Sequence, residues 1–348
     1  MTALLEARNV TKVFGTGLLS AGETVALRDF SFAISGEQPS VTAIVGESGS
    51  GKTTLVRLLL GLAAPTSGQV LFRGQELTTL GGDERRRFLQ DVQAIFQDPF
   101  EVFNPFYKVD HVLALPIENF GLAASKRERR ELMESALSAV GLRPEETLGR
   151  YPHQLSGGQR QRIMVARAVL LRPRLIIADE PVSMVDASLR ATILNSLLTL
   201  NRDLGISIVY ITHDLTTAFQ ISEDIIVLYR GAVAEAGAVG LVVQTPEHPY
   251  TRLLVGSIPA PDPTEAWQGE RVLGRGSGAE RLVPTGPSFC AFHDRCPHAM
   301  PICVEQAPPL FQTDPTRVAA CYLARDSPVV APEQMTRILA GTRPSSLL

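Results

Sequence analysis

Apolar positions along the chain follow first one rhythm and then another. Residues 5–14 and 25–34 read as strands, the second alternating through Val25, Leu27, Phe30, Phe32 and Ile34, so one face is buried. The run Val41–Val45 is almost continuously apolar, and a helical pattern follows it to about Gly61-Leu62. Gly68–Phe72 and Val92–Phe96 are further strand candidates. From about 98 to 170 helical spacing dominates, over 109–118, 125–140 and 157–171. Strands then return as the apolar runs Leu175–Ala178, Ser207–Ile211 and Ile225–Tyr229, the signature of largely parallel strands buried on both faces. Helices over 188–203 and 214–221 separate them, and Arg230-Gly231 predicts a hairpin into Ala232–Glu235. Strand and helix in alternation predict an α/β fold, a mostly parallel sheet with helices on both faces.

Past about residue 257 the pattern breaks. Pro259, Pro261, Pro263 and the glycines 269, 274, 276 and 278 predict a linker or loose arm, and a short C-terminal unit then holds all four cysteines. The expected division is therefore a domain over 1–257, with a helical subdomain at about 98–170, and an extension over 258–348.

Composition adds only exclusions. The chain has 348 residues, 45% of them hydrophobic and 20% charged, with a net charge of −3. A soluble globular protein is expected, and nothing at whole-chain level favours nucleic acid or an anionic membrane surface. The basic runs Arg85–Arg87 and Lys126–Arg130 sit in helix-like stretches and read as solvated helix faces. No stretch approaches the ~18 apolar residues of a membrane span. The first eight residues lack the layout of a secretion signal, so a cytosolic location is expected, with any membrane attachment through other proteins.

The candidate chemistry begins at Gly46-Glu47-Ser48-Gly49-Ser50-Gly51-Lys52-Thr53, with Thr54 following. This is the G-x-x-x-x-G-K-[ST] phosphate loop in a strand–loop–helix setting. Its glycines let backbone N–H groups surround a polyphosphate, Lys52 reaches the β- and γ-phosphates, and the Thr53 hydroxyl suits Mg²⁺. A nucleoside triphosphate is the expected ligand. A second landmark is Asp179-Glu180 at the end of an apolar strand, a metal-holding carboxylate followed by one able to activate water. The third is Leu155-Ser156-Gly157-Gly158-Gln159, where Ser156 can cap a helix whose glycines expose N–H groups at its positive end.

Together these motifs resemble the ATPase subunit of an ATP-binding cassette (ABC) transporter over roughly residues 5–260, with a P-loop NTPase core, an antiparallel β subdomain and a helical subdomain. The resemblance implies further roles. Phe14 would stack on adenine, although a buried strand aromatic is nearly as good a reading. Gln97 would touch metal and water, with Thr53 and Asp179 as the other Mg²⁺ groups. His213 would contact the γ-phosphate and steady Glu180, the base. Leu155–Gln159 would face the ATP of a second cassette, identical or paralogous, and Ser183 and Asp186 would carry communication across that dimer. One departure stands out: Pro181-Val182-Ser183-Met184-Val185-Asp186 replaces the more usual Thr-Ser-Ala-Leu-Asp after the proline, a variant loosely associated with glycoside or oligosaccharide carriers.

The segments Thr245–Leu254, Ile258–Pro263 and Gln97-Asp98-Pro99 with Asn104-Pro105 narrow the resemblance to ATPases of oligopeptide, dipeptide and nickel importers. Two membrane permeases and an extracytoplasmic solute-binding protein would be partners, with the chain peripheral on the cytoplasmic face of the cell membrane. Cys290, Cys296, Cys303 and Cys321 form no C-x₂₋₄-C pair, and their spacing alone leaves a cluster, zinc and free thiols equally open. The subfamily resemblance, through Phe292–Pro297, points to a structural [4Fe–4S] cluster with Zn²⁺ as the alternative.

Overall fold

The computed structural model describes residues 3–15, 23–98, 103–258 and 289–340. Pro99 and the proline- and glycine-containing stretch 259–288 lie outside the described residues. In chain order the strands are β1 (Ala3–Phe14), β2 (Thr24–Ser35), β3 (Val41–Val45), β4 (Ser67–Phe72), β5 (Gln75–Glu76), β6 (Val92–Ile95), β7 (Leu175–Asp179), β8 (Ser207–Thr212), β9 (Asp224–Tyr229), β10 (Ala232–Ala238), β11 (Leu310–Asp314), β12 (Arg317–Ala319) and β13 (Val329–Val330). The helices are α1 (Lys52–Leu59), α2 (Gly82–Asp91), α3 (Val109–Phe120), α4 (Lys126–Ala139), α5 (Pro144–Thr147), α6 (Gly157–Val169), α7 (Ala187–Leu204), α8 (Leu215–Ile221), α9 (Val239–Gln244), α10 (Pro249–Gly256), α11 (Pro301–Glu305) and α12 (Met335–Ala340).

The chain forms two compact units. One contains Met1–Gly36, Thr42–Thr79 and Thr212–Leu348; the other contains Glu37–Val41 and Leu80–Ile211. The first unit holds a four-stranded antiparallel sheet ordered β2-β1-β4-β5 and a run of strands ordered β13-β11-β12-β10-β9-β3. β3 and β9 are parallel and wholly buried, as their largely apolar sequences require, with Thr42 and Asp224 the polar exceptions. From β9 onward the pairing turns antiparallel through the Arg230-Gly231 hairpin. The C-terminal extension then continues the sheet. Its strand β12 pairs antiparallel with β10, matching Glu235 to Ala319 and Gly237 to Arg317, so the sheet is mixed. On its other side the extension reaches β2, where the Thr336 hydroxyl accepts the Ala33 N–H at 2.9 Å.

The second unit joins β6, β7 and β8 in parallel register to a group of helices. α3 and α4 pack on α6, and α6 packs on α7. The basic stretch Lys126–Arg130 opens α4, where Arg127 pairs with Glu131 at 2.8 Å and Arg130 with Glu134 at 2.7 Å across one turn. That is a solvated face stitched to itself.

Candidate functional site

In the first unit the phosphate loop leaves the buried strand β3 and turns into α1. Gly51 caps that helix at φ 104°, and a Cβ there would sit 2.4 Å from the Ala26 carbonyl oxygen. A Cβ on Gly46 would sit 2.3 Å from the Leu228 oxygen. Both positions require glycine, because the loop is pressed against β2 and β9. Lys52 is buried, and its ammonium donates to the carbonyls of Gly46 at 2.6 Å and Glu47 at 2.9 Å, with the Ser50 hydroxyl at 3.5 Å. Thr53 is exposed at the start of α1. Phe14 ends β1 with 44% of its surface exposed, so it is not a buried strand aromatic; the Lys12 ammonium lies 5.2 Å from its ring centre. His213 is also exposed, just before α8, whose N-terminus is capped by Asp214 through the Thr216 N–H at 2.9 Å.

The loop is held from outside by residues with no role in any phosphate-loop pattern. The Tyr250 hydroxyl accepts the Glu47 N–H at 2.9 Å. Tyr250 is itself placed by a relay of hydrogen bonds. The buried Glu235 carboxylate accepts the N–H groups of Glu247 and His248 at 3.0 and 2.9 Å, and His248 Nδ1 accepts the Tyr250 N–H at 3.0 Å, capping α10. Burial raises the Glu235 and Tyr250 pKa values and lowers that of His248 to about 4, the last with help from Arg252. From the extension, Arg295 donates to both carboxylate oxygens of Glu47, at 2.9 and 3.1 Å, and to the Tyr229 hydroxyl at 3.4 Å. Arg230 donates to Asp294 at 3.1 Å, and the neighbouring Gly231 N–H donates to the Ser50 carbonyl at 2.9 Å.

In the second unit Ile95 is in register with Ala178, so Gln97 and Asp179 leave one edge of neighbouring strands. Glu180 adopts φ 47°, and its N–H donates to the Ile211 carbonyl at 2.8 Å. The Ser183 hydroxyl donates to the Glu180 carbonyl at 2.9 Å, and Asp186 occupies the N-cap of α7. In the altered loop Val182 and Val185 are buried and Met184 is exposed, so two of the three replaced residues fill core. Ser156 and Gln159 form a reciprocal capping box on α6, at 3.2 and 2.9 Å, with Leu155 buried just before it. A Cβ on Gly158 would lie 2.6 Å from Leu189 Cδ1, so this glycine allows α6 to approach α7.

The four cysteines converge without forming a metal centre. Cys290, Cys296, Cys303 and Cys321 line one cavity of about 10 Å³, room for one water at most. Among the described residues no three His, Cys, Asp or Glu side chains are arranged to hold an ion. Burial raises the thiol pKa values of Cys290, Cys296 and Cys321, the last to about 11. As placed, the side chains do not make up the expected iron–sulfur or zinc site. Cys303 packs instead with Phe311 and Tyr322 as a small hydrophobic core.

Comparison with known proteins matches this arrangement. Residues 27–183 match the family described as "ABC transporter", and residues 234–303 match "Oligopeptide/dipeptide transporter, C-terminal region". The chain is 40% identical to the "Di/tripeptide transport ATP-binding protein DppF" of Pseudomonas aeruginosa (strain UCBPP-PA14), covering 93% of this chain and 98% of that one. The chain belongs to the ATP-binding subunits of oligopeptide/dipeptide ABC transporters. The "Oligopeptide transport ATP-binding protein AppF" of Bacillus subtilis (strain 168) is 38% identical over 92% of this chain and 97% of its own. Among solved structures, the dimeric cassette MJ0796 in a post-hydrolysis state with ADP and Pi is 30% identical, with TM-score 0.59, over 68% of this chain and 98% of that one. As a member of this ABC ATPase family, the chain binds and hydrolyses ATP. Among the described residues no helix is long and apolar enough to cross a membrane.

Proposed function

We propose that this ABC ATPase powers the import of peptides through two membrane permeases, fed by an extracytoplasmic solute-binding protein, from the cytoplasmic face of the membrane. The observation that carries this reading is the pairing of a complete phosphate loop with an extension that relatives named for peptide transport share over nearly their whole length. The ATPase domain is assigned to 1–257 and the extension to 258–348.

Two cassettes would meet head to tail. Each ATP would lie between one chain's Gly46–Thr54 loop and the partner's Ser156–Gly158 turn, with Phe14 against adenine. Thr53, Gln97 and Asp179 would hold Mg²⁺, which neutralises phosphate charge when bound. A water oxygen attacks the γ-phosphorus while Glu180 takes its proton, and the bond from the γ-phosphorus to the bridging oxygen breaks, releasing ADP and phosphate. His213 would steady Glu180. Ser183 and Asp186, in the loop that leads into α7, would report closure between the cassettes, and Gln97 would pass it to the helical subdomain and the permeases.

Uptake of labelled di- and oligopeptides by vesicles containing the assembled importer tests the cargo. ATP-dependent peptide uptake that Lys52→Ala abolishes is the expected result. Uptake of glycosides, oligosaccharides or nickel in place of peptides would overturn the cargo while leaving the ATPase assignment standing. The iron–sulfur reading of the four cysteines rests on their number and their convergence. Iron and acid-labile sulfide in an anaerobic preparation would support it; zinc, or neither metal, would retire it.

A further inference from the structure

The phosphate loop carries an acidic residue of its own, Glu47, on a loop that must receive a polyanion. We infer that Arg295 of the extension is a positioning residue for ATP binding: it holds the Glu47 carboxylate in a two-pronged grip and cancels its charge at the phosphate loop. This inference rests on the reading of Gly46–Thr54 as the ATP site.

The geometry is specific to an arginine. Both terminal nitrogens engage Glu47, one oxygen each, at 2.9 and 3.1 Å, a fork-to-fork pairing that lysine cannot reproduce. The guanidinium carbon lies 5.6 Å from the ring centre of Phe292 and 5.7 Å from that of Tyr229, and Tyr229 Oη accepts a further hydrogen bond at 3.4 Å. These two rings pack edge to face, their centres 5.2 Å apart. Phe292 is buried, as is Tyr250, which holds the Glu47 N–H. The arginine is therefore fixed on a rigid aromatic base, and Glu47 is held at both its amide and its carboxylate. Without Arg295 the carboxylate would remain as an uncompensated negative charge on the phosphate loop. The pair is only partly shielded from solvent, with 33% and 40% of the two side chains exposed, so its effect is moderated by salt.

The test is the MgATP dissociation constant of the full chain at low and high salt, for wild type, Arg295→Ala, Arg295→Lys, Glu47→Gln and the double variant Glu47→Gln/Arg295→Ala. Arg295→Ala should weaken MgATP binding roughly three- to tenfold at low salt and less at high salt. Arg295→Lys should retain most of the affinity. Removing the Glu47 charge in the Arg295→Ala background should restore affinity to within about twofold of wild type, a rescue no loss of packing would show. Glu47→Gln alone leaves the Arg295 charge uncompensated beside the loop and should bind MgATP more tightly than wild type at low salt, with the gain shrinking at high salt. Unchanged affinity in Arg295→Ala, failure of the double variant to recover, or weakened binding by Glu47→Gln alone would each overturn the inference. If Arg295→Ala does not fold, Glu47→Gln alone still decides. Wild-type affinity in Lys52→Ala would instead refute the loop as the ATP site, so the two failures are distinguishable.

Discussion

The Tyr250 hydroxyl stands 2.9 Å from the Glu47 amide nitrogen and accepts its proton, joining helix α10 to the phosphate loop. Tyr250→Phe deletes that acceptor and leaves the amide unpaired in a partly buried position. We expect a loss of about 1–2 kcal/mol in stability and a several-fold weaker affinity for MgATP. Because no charge changes, the affinity loss should be the same at low and high salt. Titration of the variant at two ionic strengths, beside a denaturant melt, checks both parts.

Phe292 is the extension's anchor. It is 2% exposed and packs on Tyr229 and Tyr250 at centre distances of 5.2 and 5.6 Å. Phe292→Ala should destabilise the protein by about 3 kcal/mol and loosen the segment that carries Arg295. Limited proteolysis should then cut within 289–340 faster than in wild type, while MgATP binding weakens in parallel.

His248 makes stability fall in acid. Burial holds its folded pKa at about 4 against an ordinary value of 6.5. As pH drops below about 6.5 the unfolded chain gains a proton that the folded chain refuses until about pH 4. The stability is therefore intact above pH 6.5 and lost progressively between 6.5 and 4, by at most ~3 kcal/mol. Glu235, whose pKa is raised by burial, acts in the opposite sense, so the informative comparison is with His248→Asn. Its melting temperature should fall less steeply over that range than that of wild type.

Much of this was legible in the sequence because it is local. The phosphate loop, the buried runs that become β3, β7, β8 and β9, and the Ser156 cap each announce themselves within a few residues. The extension's contribution does not. β12 is three residues long, too short to show alternation, and its place is set by β10, some 80 residues upstream. Arg295 and Tyr250 lie in segments that mark the subfamily, yet their contact with Glu47 exists only after folding. The cysteines show both sides: their number is plain in the sequence, while their convergence on one cavity and the packing of Cys303 with Phe311 and Tyr322 come only with the fold.

We propose that ATP is consumed in a seam formed by two cassettes, with Glu180 as the base. Light scattering of the Glu180→Gln variant with MgATP, alone and mixed with a paralogous cassette, tests it most directly. The expected result is a stable dimer that retains ATP without hydrolysing it, and loss of that dimer when Gly158→Asp is added. Wild-type hydrolysis by Glu180→Gln as a strict monomer would contradict it.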